Sequence, residues 1–281
     1  MTTSLNNPLR QYFRRPAVYL RLPSNGKFYT PGIIDMPDSG ELPVFPMTAI
    51  DDISIRTPDA LFNGTAVVDV IKSCIPNIID PWQMPATDVD TALVAIRIAS
   101  YGHTLEIGTV CPNCTHEAEF GLDLRSVMDQ LRSPDYTKQI IHGDLTISFK
   151  PMNYKDQTET SQLQFDEQKI LQAIPDPDID EATKVQLLGE MMKKITQLTI
   201  EVIRWNIMSI RTPQAIVSEP EHIKEFLMNC DRKTAKQVIQ AGFIVIGFAE
   251  DEQGNLSYPA SKIPVHVERF AHIYEHLCRN D

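Results

Sequence analysis

The spacing of apolar residues changes its period once along this chain, and this change most constrains the fold. Over residues 105–122 and again over 137–149, apolar and polar residues alternate, as they do in strands that bury one face. From about residue 153 the apolar spacing is helical, and its longest segment runs from Asp180 to about Ile210. We therefore expect an α+β fold, in which a mixed part of β-hairpins and helices precedes a mainly helical part.

Two turn signals predict hairpins in the mixed part. Asn25-Gly26 lies between the β-rich residues 17–22 and 27–29, and an Asn-Gly pair favours a tight turn between two strands. Gly143-Asp144 has the same position between the two halves of the second alternating segment. Both segments are therefore expected to fold back on themselves as strand pairs.

Capping signals predict three helices in the same part. Thr57-Pro58 combines an N-cap residue with a first-turn proline, and Asn63-Gly64 can end the short helix that follows. A second helix is expected over 65–75. Thr87-Asp88 is interpreted as the N-terminal signal of a third helix over 89–100.

These patterns divide the chain into three parts. Residues 1–16 are polar and arginine-bearing, and we expect a flexible N-terminal arm there. Residues 17–152 are predicted to form the α+β domain, which includes a hairpin ending in two cysteines. Residues 153–281 are predicted to form the mostly helical domain.

Composition excludes several classes of protein. Lys and Arg number 26 against 37 Asp and Glu, and the resulting net charge of −11 disfavours binding to a phosphate backbone. No apolar run approaches the roughly 20 residues of a membrane span, and the N-terminus lacks the apolar core of a signal peptide. Five cysteines, an odd number, favour free thiols or metal ligands in a reducing cytoplasm. We therefore expect a soluble protein made in a cytoplasm, with no membrane or nucleic-acid partner.

The most specific chemical motif is the pair Cys111 and Cys114 at the tip of the hairpin that spans 105–122. Two cysteines spaced in this way on a turn can supply half of a tetrahedral zinc site. The alternatives are a metal-free knuckle, which is favoured, and a redox-active dithiol. No cofactor is therefore expected, with zinc left open. Further zinc ligands would have to come from residues elsewhere in the chain, namely His116, His142, Cys230, His272, His276 or Cys278.

A second metal-like pattern lies near the end of the chain. His272, Glu275 and His276 match the H-x-x-E-H motif of one group of metallopeptidases. A catalytic zinc also needs a third protein ligand further downstream, and only five residues follow His276. We therefore interpret the two histidines as part of an exposed helix face, and a metallopeptidase remains the weaker alternative.

The long predicted helix carries a regular apolar stripe. Its large side chains are spaced alternately by three and four residues, at Leu188, Met191, Ile195, Leu198, Val202 and Trp205. Such a stripe packs into the core of a helical domain or forms a seam with another protein chain. Both interpretations stay open, with the core favoured.

Four segments, taken in order, resemble a known family. They are Leu22-Pro23-Ser24-Asn25-Gly26-Lys27-Phe28-Tyr29, Pro46-Met47-Thr48 with the Thr57-Pro58 helix, Ile96-Arg97 with Ser100-Tyr101-Gly102, and Cys111-Pro112-Asn113-Cys114 leading to Asp123-Leu124. Their order over roughly 20–125 is similar to that in baseplate proteins of T-even-like contractile-tailed bacteriophages. The second half is similar in outline. A second cysteine-rich knuckle found in members of that family has no counterpart in residues 254–264.

The resemblance implies a structural or assembly protein of a contractile phage tail baseplate, either a hub component or a hub-assembly chaperone, and not an enzyme. Its partners would be other tail and baseplate proteins, with self-association left open. It would be found in the host cytoplasm during assembly, and in the tail baseplate of the virion if it is retained there. The alternative class is a zinc-ribbon adaptor for nucleic acid or a transcription complex, which the acidic charge opposes. We expect partner contacts in the segment around Arg10–Arg15 and in the proline-rich loop 31–46.

Overall fold

The computed structural model describes residues 8–110, 117–133, 135–173 and 181–231, together with 233–235, 237–238, 249–250 and 256–257. These residues form two compact units. The first contains the described residues among 1–81, 87–109 and 118–131, and the second contains those among 82–86, 110–117 and 132–281. Helices and strands occur in both units, which confirms a mixed α and β fold.

The first unit is built mainly from short elements. A 3-10 helix at Pro8–Tyr12 comes first, and a second one lies at Pro81–Gln83. The α-helices and strands up to residue 131 are β1 (Val18–Leu20), β2 (Leu42–Val44), α1 (Ala49–Ile55), α2 (Pro58–Phe62), α3 (Thr65–Cys74), α4 (Ala86–Tyr101), β3 (Thr104–Val110), β4 (Glu117–Asp123) and α5 (Leu124–Gln130).

The capping signals of the first unit are largely confirmed. Helix α2 begins at Pro58 behind the N-cap Thr57, and Asn63 is its C-cap. Helix α3 buries Val68, Ile71 and Cys74, while Val67, which the helical spacing also predicts to face inward, is half-buried. The predicted hairpin of alternating residues is also present, because β3 pairs with β4.

The hairpin predicted over 17–29 is wrong. Strand β1 pairs antiparallel with β2, with Val18 opposite Val44 and Leu20 opposite Leu42, and residues 27–29 form no strand. Asn25, Gly26 and Phe28 all have positive φ angles, and these angles turn the chain away from an extended path. The strand that completes the pair therefore comes from the proline-rich segment 31–46, which was expected to be only a loop.

The second unit combines a sheet with helices. Its elements are β5 (Ile140–His142), β6 (Leu145–Phe149), α6 (Tyr154–Ala173), α7 (Glu181–Asn206), β7 (Ile207–Arg211), β8 (Ile216–Val217), α8 (Pro220–Asn229), β9 (Ala249–Glu250) and β10 (Leu256–Ser257). Strands β5 to β8 form an antiparallel four-stranded sheet in sequence order. One sheet face packs on helices α7 and α8 around Ile147, Phe149, Ile203 and Ile223.

The sheet changes two expectations about the second half of the chain. Helix α7 ends at Asn206 rather than near Ile210, because Ile207–Arg211 leaves the helix and pairs with β6. This pairing buries Ile207 and Ile210 in the core of the unit. The described residues beyond 153 thus form both helices and strands. Among the described residues, no helix is both long enough and apolar enough to span a membrane.

Candidate assembly surfaces

A fully buried carboxylate, Asp88, organises one loop of the first unit. It lies in the first turn of α4 and accepts hydrogen bonds from the Ser24 backbone N–H at 3.0 Å, from the Ser24 hydroxyl, and from the Tyr29 hydroxyl at 2.8 Å. Sequence reasoning placed Asp88 at a helix start but missed this role. In the sequence, the one indication of this role is that Ser24 and Tyr29 lie on either side of a turn in the same motif.

Burial sets the ionisation of this network. Removal from water raises the pKa of Asp88, while the hydrogen bonds from Ser24 and Tyr29 act in the opposite direction. Burial and the neighbouring carboxyl also raise the pKa of Tyr29, so its hydroxyl stays protonated and donates to Asp88. The hydrogen bonds of this network hold the loop of residues 22–29 against α4.

The hydrogen bonds to Asp88 explain several residues of the Leu22–Tyr29 motif. Gly26 has a φ of +75°, a backbone conformation that side-chain-bearing residues rarely adopt, so the turn favours glycine at this position. Ser24 and Tyr29 hold the two ends of the loop to Asp88. The residues of the motif therefore fix the conformation of the loop, in which Lys27 and Phe28 are exposed.

Arg14 fastens the N-terminal segment to the first unit. Its guanidinium donates to the carbonyl oxygen of Pro46 at 2.8 Å and to the carbonyl and hydroxyl oxygens of Ser73 at 2.7 and 3.0 Å. It also lies 3.5 Å from a carboxylate oxygen of Asp51 and 5.8 Å above the ring centre of Phe45. The expected flexible arm thus includes a residue that is held at several points.

The acidic partner of Arg14 belongs to a helix cap that the sequence analysis missed. Thr48 and Asp51 form a capping box at the start of α1, and Asp51 also accepts a hydrogen bond from the Ser73 hydroxyl at 2.9 Å. Partial burial by itself raises the pKa of Asp51, but the bonds from Thr48 and Ser73 and the charge of Arg14 outweigh it, so the pKa is lowered. Asp51 is therefore ionised at neutral pH and holds Arg14 in place.

Residues 8–15, which Arg14 anchors, form the anchored segment, and this segment has large side chains exposed to solvent. Tyr12 is 77% exposed and Phe13 is 57% exposed, and Leu9 is exposed beside them in sequence. Arg10 and Arg15 are exposed as well. The segment is thus aromatic and cationic, and Arg14 fixes one end of it.

Helices α1 and α2 form a second exposed surface in the first unit. Ile50 is 76% exposed and Ile53 is 67% exposed, and they lie on one side of α1 because they are three residues apart. Leu61 and Phe62 of α2 are exposed too. Asp59 of α2 is exposed as well, whereas Asp52 of α1 is half-buried, accepts a hydrogen bond from the Tyr101 hydroxyl at 2.8 Å and lies 3.0 Å from Arg56.

The sheet of the second unit exposes apolar residues on the side away from the core. Ile141 of β5 and Ile216 of β8 are both exposed, and the strand register places them in one row through Thr146 and Arg211. On the helical side, Glu201 of α7 lies 2.7 Å from Arg204 and 2.6 Å from Lys224 of α8. The ion pair of Glu201 with Lys224 links the two helices, while Ile141, Arg211 and Ile216 of the row on the sheet are exposed.

The residues predicted to bind zinc lie mostly outside the described part of the chain. This applies to Cys111, Cys114, His116, His272, His276 and Cys278. Of the other two candidates, His142 lies 3.2 Å from the Thr234 hydroxyl, and the half-buried Cys230 contacts the carbonyl oxygen of Leu227. Within the described ranges, no three His, Cys, Asp or Glu side chains come together as a metal site. The zinc site therefore stays a prediction.

Elemental analysis of the purified chain tests this prediction directly. If Cys111 and Cys114 hold zinc with His116 or with residues of the C-terminal segment, about one equivalent of zinc should copurify with each chain. Replacing both cysteines with serine should abolish it, because serine is a poor zinc ligand. Cys74→Ala is the matched control, because Cys74 is a buried core cysteine and is not among the candidate ligands. Less than about a tenth of an equivalent would rule out a stable site and would favour a metal-free turn.

The buried thiol in the first unit has no nucleophilic character. Burial, and then the charge of Asp51, raises the pKa of Cys74 to about 11, although Arg14 acts in the opposite direction. At neutral pH the side chain is a protonated thiol that packs in the core.

The polar clusters at Asp88 and Arg14 hold a loop and the N-terminal segment in place, and large apolar groups lie on the surface of both units. This combination is typical of a protein that works by assembling with others. Residues 48–243 match the family described as T4 bacteriophage base plate protein, and this range covers most of the chain. The chain therefore belongs to the T4-like baseplate protein family. No curated protein and no solved structure matches it.

Family membership confirms the resemblance drawn from the sequence motifs. The matched range contains helices α1 to α8 and the sheet of the second unit. It begins after the Leu22–Tyr29 loop and after the anchored segment at 8–15. A role in the baseplate of a phage tail, in contact with other tail proteins, follows from the family.

Proposed function

We propose that this chain is a component of the baseplate hub of a contractile tail, or a chaperone of hub assembly, and that it acts through protein–protein contacts without catalysis. Membership of the baseplate family supports this role. The observation that carries the mode of action is the exposure of large apolar side chains on regular elements of both units, at Ile50, Ile53, Ile141 and Ile216. Such surfaces are costly in water and are typical of sites where another protein binds.

The proposal gives the protein two locations. It is made and assembled in the host cytoplasm, and as a hub component it stays in the tail of the virion. Quantitative mass spectrometry of purified virions and of infected-cell lysate separates the two roles. A hub component should be found in virions at a constant ratio to other tail proteins. A chaperone should be found only in the lysate, in complex with tail proteins. A protein that is absent from virions and from every tail complex would contradict the proposal.

The absence of catalysis has its own test. Glu275 is the acidic residue that a metallopeptidase of the H-x-x-E-H type would need, and Glu275→Gln removes its ability to act as a general base. We expect phage carrying this variant to assemble at wild-type yield. The corresponding control is Glu268→Gln, which changes the same charge outside the motif. A severe loss of assembly with Glu275→Gln alone, in a folded protein, would show that the motif is catalytic.

A further inference from the structure

We propose that Asn25 is a site of covalent modification, at which the side-chain amide is lost spontaneously and a carboxylate forms on the loop of residues 22–29. The chain contains two Asn-Gly pairs, Asn25-Gly26 and Asn63-Gly64, and both lie in the first unit. The structure leaves the first pair open to this reaction and restrains the second. The modification goes beyond the proposed baseplate role and does not depend on it.

The reaction needs the chain and water alone. The backbone nitrogen of the glycine loses its proton to hydroxide and attacks Cγ of the preceding asparagine. The side-chain amide takes a proton from water and leaves as ammonia, and a succinimide ring remains. Water then opens the ring at one of its two carbonyl groups, which gives either aspartate or isoaspartate, in which the main chain runs through Cβ and Cγ. Glycine favours the attack because it has no Cβ to hinder the approach of its nitrogen.

The surroundings of Asn25 leave its amide free to rotate towards the main chain. Asn25 is exposed, and within the described ranges its side chain has no hydrogen-bond partner. The N–H of Gly26 donates to the Ser24 hydroxyl oxygen at 3.2 Å, which is at the long end of the range for such bonds. This single long bond is therefore the contact that holds the attacking nitrogen.

The other pair is held from both sides. Oδ1 of Asn63 accepts hydrogen bonds from the Thr65 N–H at 3.0 Å and from the Thr65 hydroxyl at 2.6 Å. The N–H of the buried Gly64 donates to the carbonyl oxygen of Leu61 at 3.1 Å. Asn63 is the C-cap of α2 and Gly64 is the N-cap of α3, so the attack requires the junction of two helices to open first.

The product should alter the loop that Asp88 holds. Isoaspartate adds a methylene group to the main chain directly after Ser24, whose N–H and hydroxyl both donate to Asp88. The hydrogen bond from the Lys27 N–H to the Ser24 carbonyl oxygen closes the turn around the inserted group, and it should be the first to break. The modified loop is therefore expected to open more often than the original one.

Peptide mapping of the full-length protein measures both sites in one digest. Trypsin releases residues 22–27 and 57–72 as separate peptides with one asparagine each, and loss of the amide raises the peptide mass by about 1 Da. In folded protein at mildly alkaline pH, the 22–27 peptide should gain this mass at least about fivefold faster than the 57–72 peptide. In guanidinium chloride both peptides should change at similar rates, because each asparagine then precedes a glycine in an unfolded chain.

The variant Asn25→Gln tests the effect on the loop. Glutamine has one more methylene group, so the attack would have to close a larger ring and is much slower. Hydrogen exchange of stored wild-type protein should show protection falling at residues 22–29 as the modified fraction grows. Stored Asn25→Gln should keep the protection of its own fresh sample, and comparing fresh with stored samples removes the effect of the substitution itself.

These measurements decide the proposal. It is wrong if folded protein is modified at Asn63 as fast as at Asn25. It is also wrong if the 22–27 peptide of folded protein keeps its mass over a period in which the unfolded chain is fully converted. A gain of mass at Asn25 with unchanged hydrogen exchange at residues 22–29 would support the site and overturn its effect on the loop.

Discussion

Replacing Asp88 with alanine is expected to lower the free energy of unfolding by about 2–4 kcal/mol, because three buried donors lose their acceptor together. Those donors are the backbone N–H and hydroxyl of Ser24 and the hydroxyl of Tyr29. Denaturant unfolding measures the loss, and hydrogen exchange should locate it in residues 22–29 and α4. Asp69→Ala, on the exposed side of α3, is the control and should change the free energy by less than about 0.5 kcal/mol.

The pH dependence of this effect has a defined sign. Burial raises the pKa of Asp88, so the folded protein binds a proton more tightly than the unfolded chain does. Asp88 therefore contributes most to stability below about pH 3.9, the ordinary value for Asp, and its contribution falls as the pH rises through the raised pKa. Asp88→Asn cannot titrate. The free energy of unfolding of the wild type relative to Asp88→Asn should thus decrease with rising pH, and a difference that is constant with pH would contradict the assignment.

The Asp88 network also shows what sequence patterns reveal and what they do not. The order of motifs around Ser24 and Tyr29 was enough to indicate the family. It did not indicate that both residues bind one carboxylate some 60 positions away, because hydrogen-bond partners distant in sequence leave no periodic signal. The hairpin predicted at Asn25-Gly26 failed for the same reason. The turn exists, but it closes on Asp88 instead of joining two strands.

Local signals gave reliable predictions where the local interaction decides the structure. Thr57-Pro58 begins a helix, and Gly143-Asp144 turns a hairpin, because backbone preferences at those residues outweigh distant contacts. The capping box of Thr48 and Asp51 was equally local and could have revealed α1. The position at which α7 ends is not determined by a local interaction. Ile207–Arg211 fits a helical pattern as well as a strand, and pairing with β6 selects the strand.

The candidate surfaces were only partly predictable. Partner contacts were expected around Arg10–Arg15 because the segment is polar and has no evident packing role in the sequence. The anchoring of Arg14 depends on Ser73 and Asp51, which lie far along the chain. The exposure of Ile50 and Ile53 could not be read from a helix that had not been recognised. Apolar residues signal burial by default, and only the packed structure shows which of them remain in solvent.

The apolar stripe of α7 has two interpretations, a core and a seam with a partner, and the structure describes the stripe's side chains only at its C-terminal end. Val202 and Trp205 are half-buried there, while Ile203 between them in sequence is buried against Ile147 and Phe149 of the sheet. The side chains from Leu188 to Leu198 lie outside the described set. If the core interpretation is correct, a charged substitution at Ile203 should therefore cause a large loss of stability.

Ile203→Asp is expected to unfold the second unit, because an unpaired carboxylate buried in this core costs at least about 3 kcal/mol. Ile203→Val should cost only about 1 kcal/mol, since it removes one methylene group and keeps the side chain apolar. Val185→Asp introduces the same charge at an exposed position of the same helix and is the matched control. Hydrogen exchange of the full-length variants should show protection lost across β6, β7 and α8 with Ile203→Asp and retained with Val185→Asp. A variant Ile203→Asp that keeps its protection and instead fails to bind tail proteins would show that this end of α7 is a seam for a partner and not a core.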